Sequence, residues 1–211
     1  LKHGAIGYLN TDWGDNGHWQ YLPVSYLGFA MGAAVSWCYS ANRELDLIRA
    51  LDTHVFRDDA QIMGRLVYDL GNAYQKIGHL VGNASVLFHF VHSPLSQPLP
   101  DTITEKTIRA TMEYIRAVSG PLPRARMHRQ DAPLVIDEFT NATRMLLHGC
   151  RRALAVHTGT IDTSEERRTL AEEMRQILGE HRWLWMARNR EGGLQDSVRV
   201  LEGRLQEYEE V

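Results

Sequence analysis

Cysteine is scarce. Cys38 and Cys150 are the only two in 211 residues, each at an apolar helical position and with no CxxC spacing. That excludes a disulfide scaffold and a thiolate zinc site. Two buried thiols favour a reducing compartment, the cytoplasm, although a single bridge stays open. No apolar run approaches the ~18 residues of a spanning helix, so no membrane partner is expected. An excess of one charge is missing as well. The formal net charge is −3 with a pI near 6.4, which gives no electrostatic reason to expect nucleic acid. No repeat of fixed period is visible, which argues against a solenoid. Strand-like segments are missing after Ser40. The remainder is ordinary: 44% hydrophobic and 23% charged residues describe a globular chain, long enough for one domain or a domain plus a fragment.

What is present concentrates in one stretch, Leu9 to Trp19. It places two carboxylates (Asp12, Asp15), two tryptophans (Trp13, Trp19) and His18 around Gly14 and Gly17. Before it, Gly4–Asn10 is short, apolar and glycine-spaced, a pattern that predicts a strand buried on both faces. After it, Pro23 to Ser40 is rich in small and apolar residues and predicts a helix. Strand, polar loop and helix make one βα unit, whose loop is where ligands sit in α/β folds. Asp12 to His18 is therefore the candidate binding site. A strand buried on both faces needs neighbours, since an orphaned buried backbone group costs roughly 1–3 kcal/mol. No later segment supplies one, so either the first dozen residues are an irregular extension or the chain is the tail of a longer protein whose sheet lies upstream, and the tail is the expectation.

The residue types suggest a sugar. A pyranose has an apolar C–H face that packs on an aromatic ring and a rim of hydroxyls that need acceptors. Trp13 suits the first requirement and Asp15 the second. The same residues also suit a turn, with Asp12, Asp15 and Asn16 as turn formers and the tryptophans packed beneath, and the residue pattern leaves both readings open.

The run Tyr8 to Ser40, with Asp12-Trp13-Gly14-Asp15-Asn16-Gly17-His18 and Gly32-Ala33-Ala34-Val35-Ser36-Trp37, resembles the end of the catalytic barrel of family 20 glycoside hydrolases, which are exo-acting β-N-acetylhexosaminidases. Trp13-Gly14-Asp15 matches that family's Trp-Gly-Glu element with Asp in place of Glu. The wording is most similar to a bacterial subgroup whose barrel is followed by an all-helical domain, and Leu184–Leu194 resembles that subgroup more loosely. The resemblance implies that Trp13 walls the terminal sugar and its N-acetyl group, and that Asp15 binds the 4- or 6-hydroxyl. Asp12 is a third candidate substrate-binding residue. Family 20 is a substrate-assisted exception among glycosidases, in which the acetamido oxygen attacks the anomeric carbon. The resemblance implies an adjacent Asp-Glu pair on an earlier barrel strand for that step. Asp58-Asp59 and Asp137-Glu138 lie in sequence that reads as helical and are not assigned this role. No catalytic residue, metal ligand or cofactor is expected in this chain.

The rest of the chain reads as helix after helix. Asn42 suits the cap of a helix over 43–56, and Asp58 or Asp59 that of a third helix reaching Ile77 before Gly78. Asn83 suits the cap of a short helix through His92, followed by a proline-rich loop. Thr104 opens the next helix, closed at Gly120, and the basic run Arg124–Arg129 reads as a solvated connector. Asp131 or Ala132 begins the longest helix, ending near Thr158 with Val135, Phe139, Ala142, Leu146, Cys150, Ala153 and His157 on one stripe. Thr163 or Ser164 opens a helix to about Asn189, Gly192-Gly193 breaks it, and Leu194, Val198, Leu201, Leu205 and Tyr208 form a seam that wants a partner helix. His89 and His92 have a chelating spacing but no further ligand close in sequence. Arg188-Asn189-Arg190 suits either capping or reaching a carboxylate or sugar.

The expected fold is thus mainly α: over residues 1–41 the last βα unit of a (β/α)8 barrel, and over 42–211 an all-helical bundle. The expected function is that of the C-terminal part of a β-N-acetylhexosaminidase, supplying part of the sugar pocket and a helical support domain. Its expected partners are a carbohydrate with a terminal N-acetylhexosamine, the upstream barrel and a possible second copy in a homodimer. The alternative is a helical protein-interaction module without sugar chemistry.

Overall fold

The structure, a computed structural model, describes residues 3–210. The chain is built around one long helix, α7 (Ala132–Thr158), which starts with Pro133 in its first turn and ends at Gly159. Of its predicted stripe Val135, Phe139, Cys150 and Ala153 are buried, Ala142 and Leu146 are half-buried, and His157 at the helix end is exposed. Two cores form on its flanks. The first takes in α3 (Leu47–Ala50) with the π-helical turn that continues it to Phe56, then α4 (Met63–Gly71), α5 (Val86–His92) and α6 (Glu105–Ser119). The second gathers Met174, Ile177 and Leu184 of α8 (Ser164–Arg188) with Val198, Leu201 and Tyr208 of α9 (Leu194–Glu209). The seam read on the last helix therefore has its partner in α8.

The helix starts with strong cap chemistry lie where the sequence places them. The Thr104 hydroxyl accepts from the Thr107 amide at 3.2 Å while Thr107 accepts from the Thr104 amide, a reciprocal box that opens α6. Thr163 accepts from the Glu166 amide at 3.3 Å, and Glu165 and Glu166 sit at the positive end of α8. Between residues 42 and 86 the expectations need correction. Asn42 closes the short α2 (Tyr39–Asn42), and Asp46, accepting from the Arg49 amide at 3.0 Å, caps α3 instead. Ile62 is the N-cap residue of α4, and Asp58 serves the helix start from the preceding turn, its carboxylate accepting from the Ile62 and Met63 amides at 2.8 and 3.1 Å. That helix stops at Gly71, short of Ile77, and Ala73–Lys76 forms a 3-10 turn. Ser85 rather than Asn83 caps α5.

The N-terminal part is different in character. α1 (Leu22–Trp37) contains no charged residue; Val24, Tyr26, Leu27 and Ala30 pack on the first core, while Leu22 and Trp37 stay exposed. The expected strand at Gly4–Asn10 forms no ladder: among the described residues there is no β-strand, only two isolated bridges. The physical reason is the one anticipated, the lack of a strand partner. The segment instead lies on α1. Asn10 Nδ2 donates to the Gly28 carbonyl at 3.1 Å, and a Cβ on Gly32 would sit 2.5 Å from Asn10 Nδ2 and 3.0 Å from the Tyr8 ring. The missing side chain at Gly32 thus admits the segment at close range, while Ile6 and Leu9 remain open to solvent. Cys150 is buried, Cys38 is half-buried, and both are free thiols. No helix among the described residues is long and apolar enough to cross a membrane.

Candidate functional site

The loop between Asn10 and α1 has a fixed half and an open half. In the fixed half Trp19 is buried, with its ring centroid 5.3 Å from that of Phe88, and its Nε1 donates to the Ser197 carbonyl of α9 at 2.8 Å. Gly17 adopts φ +98°, and a Cβ there would meet the Ser197 carbonyl oxygen at 2.9 Å, so the loop crosses α9 too closely for a side chain.

A chain of buried hydrogen bonds then runs in one direction through three helices to the same point. Ser197 Oγ donates its proton to the Gly17 carbonyl, so it must accept from His181 Nε2, 2.8 Å away. A neutral His181 protonated at Nε2 leaves Nδ1 as an acceptor for the Tyr21 hydroxyl at 3.0 Å, and Tyr21 in turn accepts from Asn141 Nδ2 at 2.8 Å. Every donor in the chain has one acceptor only while His181 is neutral. Burial pushes the His181 imidazole down to about 4, with Arg182 and His18 adding to the effect. Burial also raises the Tyr21 phenol above its usual value, keeping it a donor.

In the open half the three candidate residues part company. Asp12 is occupied within the loop: its carboxylate accepts from Gln20 Nε2 at 3.2 Å and from Ser25 Oγ at 2.7 Å, while the same Gln20 nitrogen donates to the Trp13 carbonyl at 2.7 Å. It acts as a cross-tie that sets the backbone at Trp13. Trp13 itself is 74% exposed, its indole N–H resting on the Thr11 hydroxyl at 3.2 Å. Asp15 is exposed and makes no side-chain hydrogen bond among the described residues. Trp13 and Asp15 both line one groove of about 1040 Å³. Its opposite wall comes from the helical part: Tyr68 and Asn72 around the end of α4, Asn83 and Ser85 before α5. Its floor is apolar, with Leu27, Val67, Leu87, Phe88 and Met145. Among the described residues Asp15 is the single acidic lining residue, and no lysine or arginine lines the groove. Such a lining offers stacking surfaces, neutral amides, one carboxylate acceptor and the His18 imidazole, and no permanent cation to pair with an anion.

The remaining candidates are structural. Glu138, 1% exposed, is held by Arg188 through Nε at 2.5 Å and Nη2 at 2.7 Å, and Arg188 also reaches Asp131 at 3.0 Å. Arg188 therefore reaches carboxylates of its own chain, locking α8 to α7, and the paired Arg129 and Arg188 hold the Asp131 carboxyl down to about 2. Arg190 contributes only its carbonyl, which accepts from Trp185 Nε1 at 2.8 Å. Asp59 pairs with His128 at 2.6 Å. None of these acids lines the groove. The rings of His89 and His92 lie 6.5 Å apart, and His92 stacks on Phe88 at 4.9 Å; among the described residues no group of three or more His, Cys, Asp and Glu side chains gathers as ligands would.

The hydrogen-bonded anchor is what sequence reasoning missed. One signal for it existed: His181 falls on the α8 stripe of Met174, Ile177, Leu178 and Leu184, a polar side chain at a core position. Comparison with family models, with curated proteins and with solved structures gives no match.

Proposed function

We propose that this chain is the C-terminal portion of a family 20 exo-β-N-acetylhexosaminidase and that Trp13 and Asp15 form part of its sugar pocket. The observation that carries the reading is the open Trp13 ring and, lining the same groove, the Asp15 carboxylate, which has no partner among the described residues, on a loop otherwise pinned in place. An exposed tryptophan and an unpaired acid contribute little to folding, and together they match what a pyranose requires. Trp13 would stack on the C–H face of the terminal N-acetylhexosamine and Asp15 would accept from its 4- or 6-hydroxyl. Hydrolysis would follow the substrate-assisted route, with the Asp-Glu pair supplied by upstream barrel strands and no catalytic group from this chain.

The N-terminal packing agrees with that reading. The extended segment 8–10 lies on α1 at Gly28 and Gly32, as a barrel strand lies on its helix, while Ile6, Leu9 and Trp37 offer apolar surface that neighbouring barrel elements would cover. The alternative, a helical protein-interaction module, called for an open apolar seam on the last helix. Val198, Leu201 and Tyr208 are instead buried against α8.

Saturation-transfer NMR with N-acetylglucosamine tests the proposal, on the chain alone and on the chain carrying its upstream sequence. Transfer is expected in the wild type and lost in both Trp13→Ala and Asp15→Ala. Absence of transfer in both forms, or transfer that survives both substitutions, contradicts it.

A further inference from the structure

One ring on Trp13 does not fill this groove. Small-molecule sites span about 300–1,000 Å³, and a single hexosamine is a small member of that class. The volume of about 1040 Å³ extends from the loop to a second wall built by the helical region. Two residues on that wall stand out. Tyr68 sits on α4 beside the buried Leu66, Val67 and Leu70, yet it is 43% exposed and its hydroxyl makes no hydrogen bond among the described residues. Asn83 adopts φ +57° in the turn before α5, and its exposed amide likewise has no partner among the described residues. Their neighbour Asn72 differs: its Nδ2 donates to the Tyr68 carbonyl and its Oδ1 accepts from Gln75 Nε2, both at 2.8 Å, so it shapes the helix end instead of waiting for a ligand.

We propose that the helical region supplies a second sugar subsite, with Tyr68 as the stacking platform and Asn83 as the hydrogen-bonding amide, so that the groove takes two consecutive neutral sugar units. This rests on the sugar-site reading of Trp13 and Asp15 and adds the substrate class. Beside the His18 imidazole the lining holds no lysine or arginine, and with Asp15 at the first subsite the groove disfavours a sulfated, phosphorylated or carboxylate-bearing second unit. Aromatic faces and neutral amides suit an uncharged second ring, whose apolar face stacks and whose hydroxyls meet the amide.

Calorimetric titration of the full chain with N-acetylglucosamine and with its β-1,4-linked disaccharide tests this. The disaccharide is expected to bind roughly ten-fold more tightly, the gain that one stacked ring with its hydrogen bonds supplies. Tyr68→Ala removes that gain and leaves the monosaccharide affinity unchanged; Tyr68→Phe keeps most of it; Trp13→Ala weakens both sugars. Alanine suits an exposed helical position, so Tyr68→Ala is expected to fold. Equal affinity for the two sugars, or a disaccharide gain that survives Tyr68→Ala, overturns the second subsite and leaves the first intact. Failure to bind either sugar both in the wild-type chain and in the chain carrying its upstream sequence overturns both.

Discussion

Trp13 and Trp19 belong to one loop and have opposite fates. Trp19 is 8% exposed, packed at a tilt against Phe88 and bonded to the α9 backbone; Trp13 is 74% exposed and, among the described residues, hydrogen-bonds only within its own loop. The difference lies in what each ring is offered. Trp19 meets α9 through Ser197 and fills a core, whereas Trp13 faces a groove with no helix against it. A loop that leaves one ring open needs a second point at which it is held, and here the open ring and the anchor are two copies of the same side chain.

Removing each ring in turn gives the largest expected contrast. Trp19→Ala should cost about 3–5 kcal/mol, the usual result of emptying a core site of a large aromatic. Trp13→Ala should change stability by less than about 0.5 kcal/mol, as exposed substitutions do. Urea unfolding measures both, and similar losses for the two would erase the distinction.

A somewhat smaller effect comes from pH. His181 is neutral in the folded chain with its imidazole held down to about 4, whereas in the unfolded chain it titrates near its ordinary value, so between these values the unfolded state binds more protons. The stabilisation is complete above about pH 6.5 and is lost as the pH falls towards 4, in total about 3 kcal/mol. Tyr21, Ser197, Trp185, Arg182 and His18 are the groups around His181, and no carboxylate among them would relieve its charge. Urea midpoints at pH 7 and pH 4.5 should therefore fall further in the wild type than in His181→Gln. An identical decline in the two would remove His181 from the anchor.

The four long helices after Thr104 are legible in the sequence because periodicity and cap chemistry agree there: Thr104, Thr163 and Gly192-Gly193 sit at ends of clear apolar stripes. Between 42 and 86 the segments are short, and several Asn, Asp and Ser residues compete for each cap, which Asp46 and Ser85 take. At Gly4–Asn10 the pattern of a strand is present without a partner, and a ladder cannot form alone. In the site, Trp13 and Asp15 stand out because loops seldom concentrate such residues. The anchor does not, since Tyr21, Asn141, His181 and Ser197 come from distant parts of the chain, and such pairings leave almost no local trace.

The most direct test follows the two indole N–H signals of Trp13 and Trp19 in a 15N-labelled chain as N-acetylglucosamine is added. The expected result is a saturable shift of the Trp13 signal, with the Trp19 signal stationary and protected from exchange by its bond to Ser197. A Trp19 signal that moves with Trp13, or a Trp13 signal that does not move at all, would contradict the assignment of one ring to the ligand and the other to the fold.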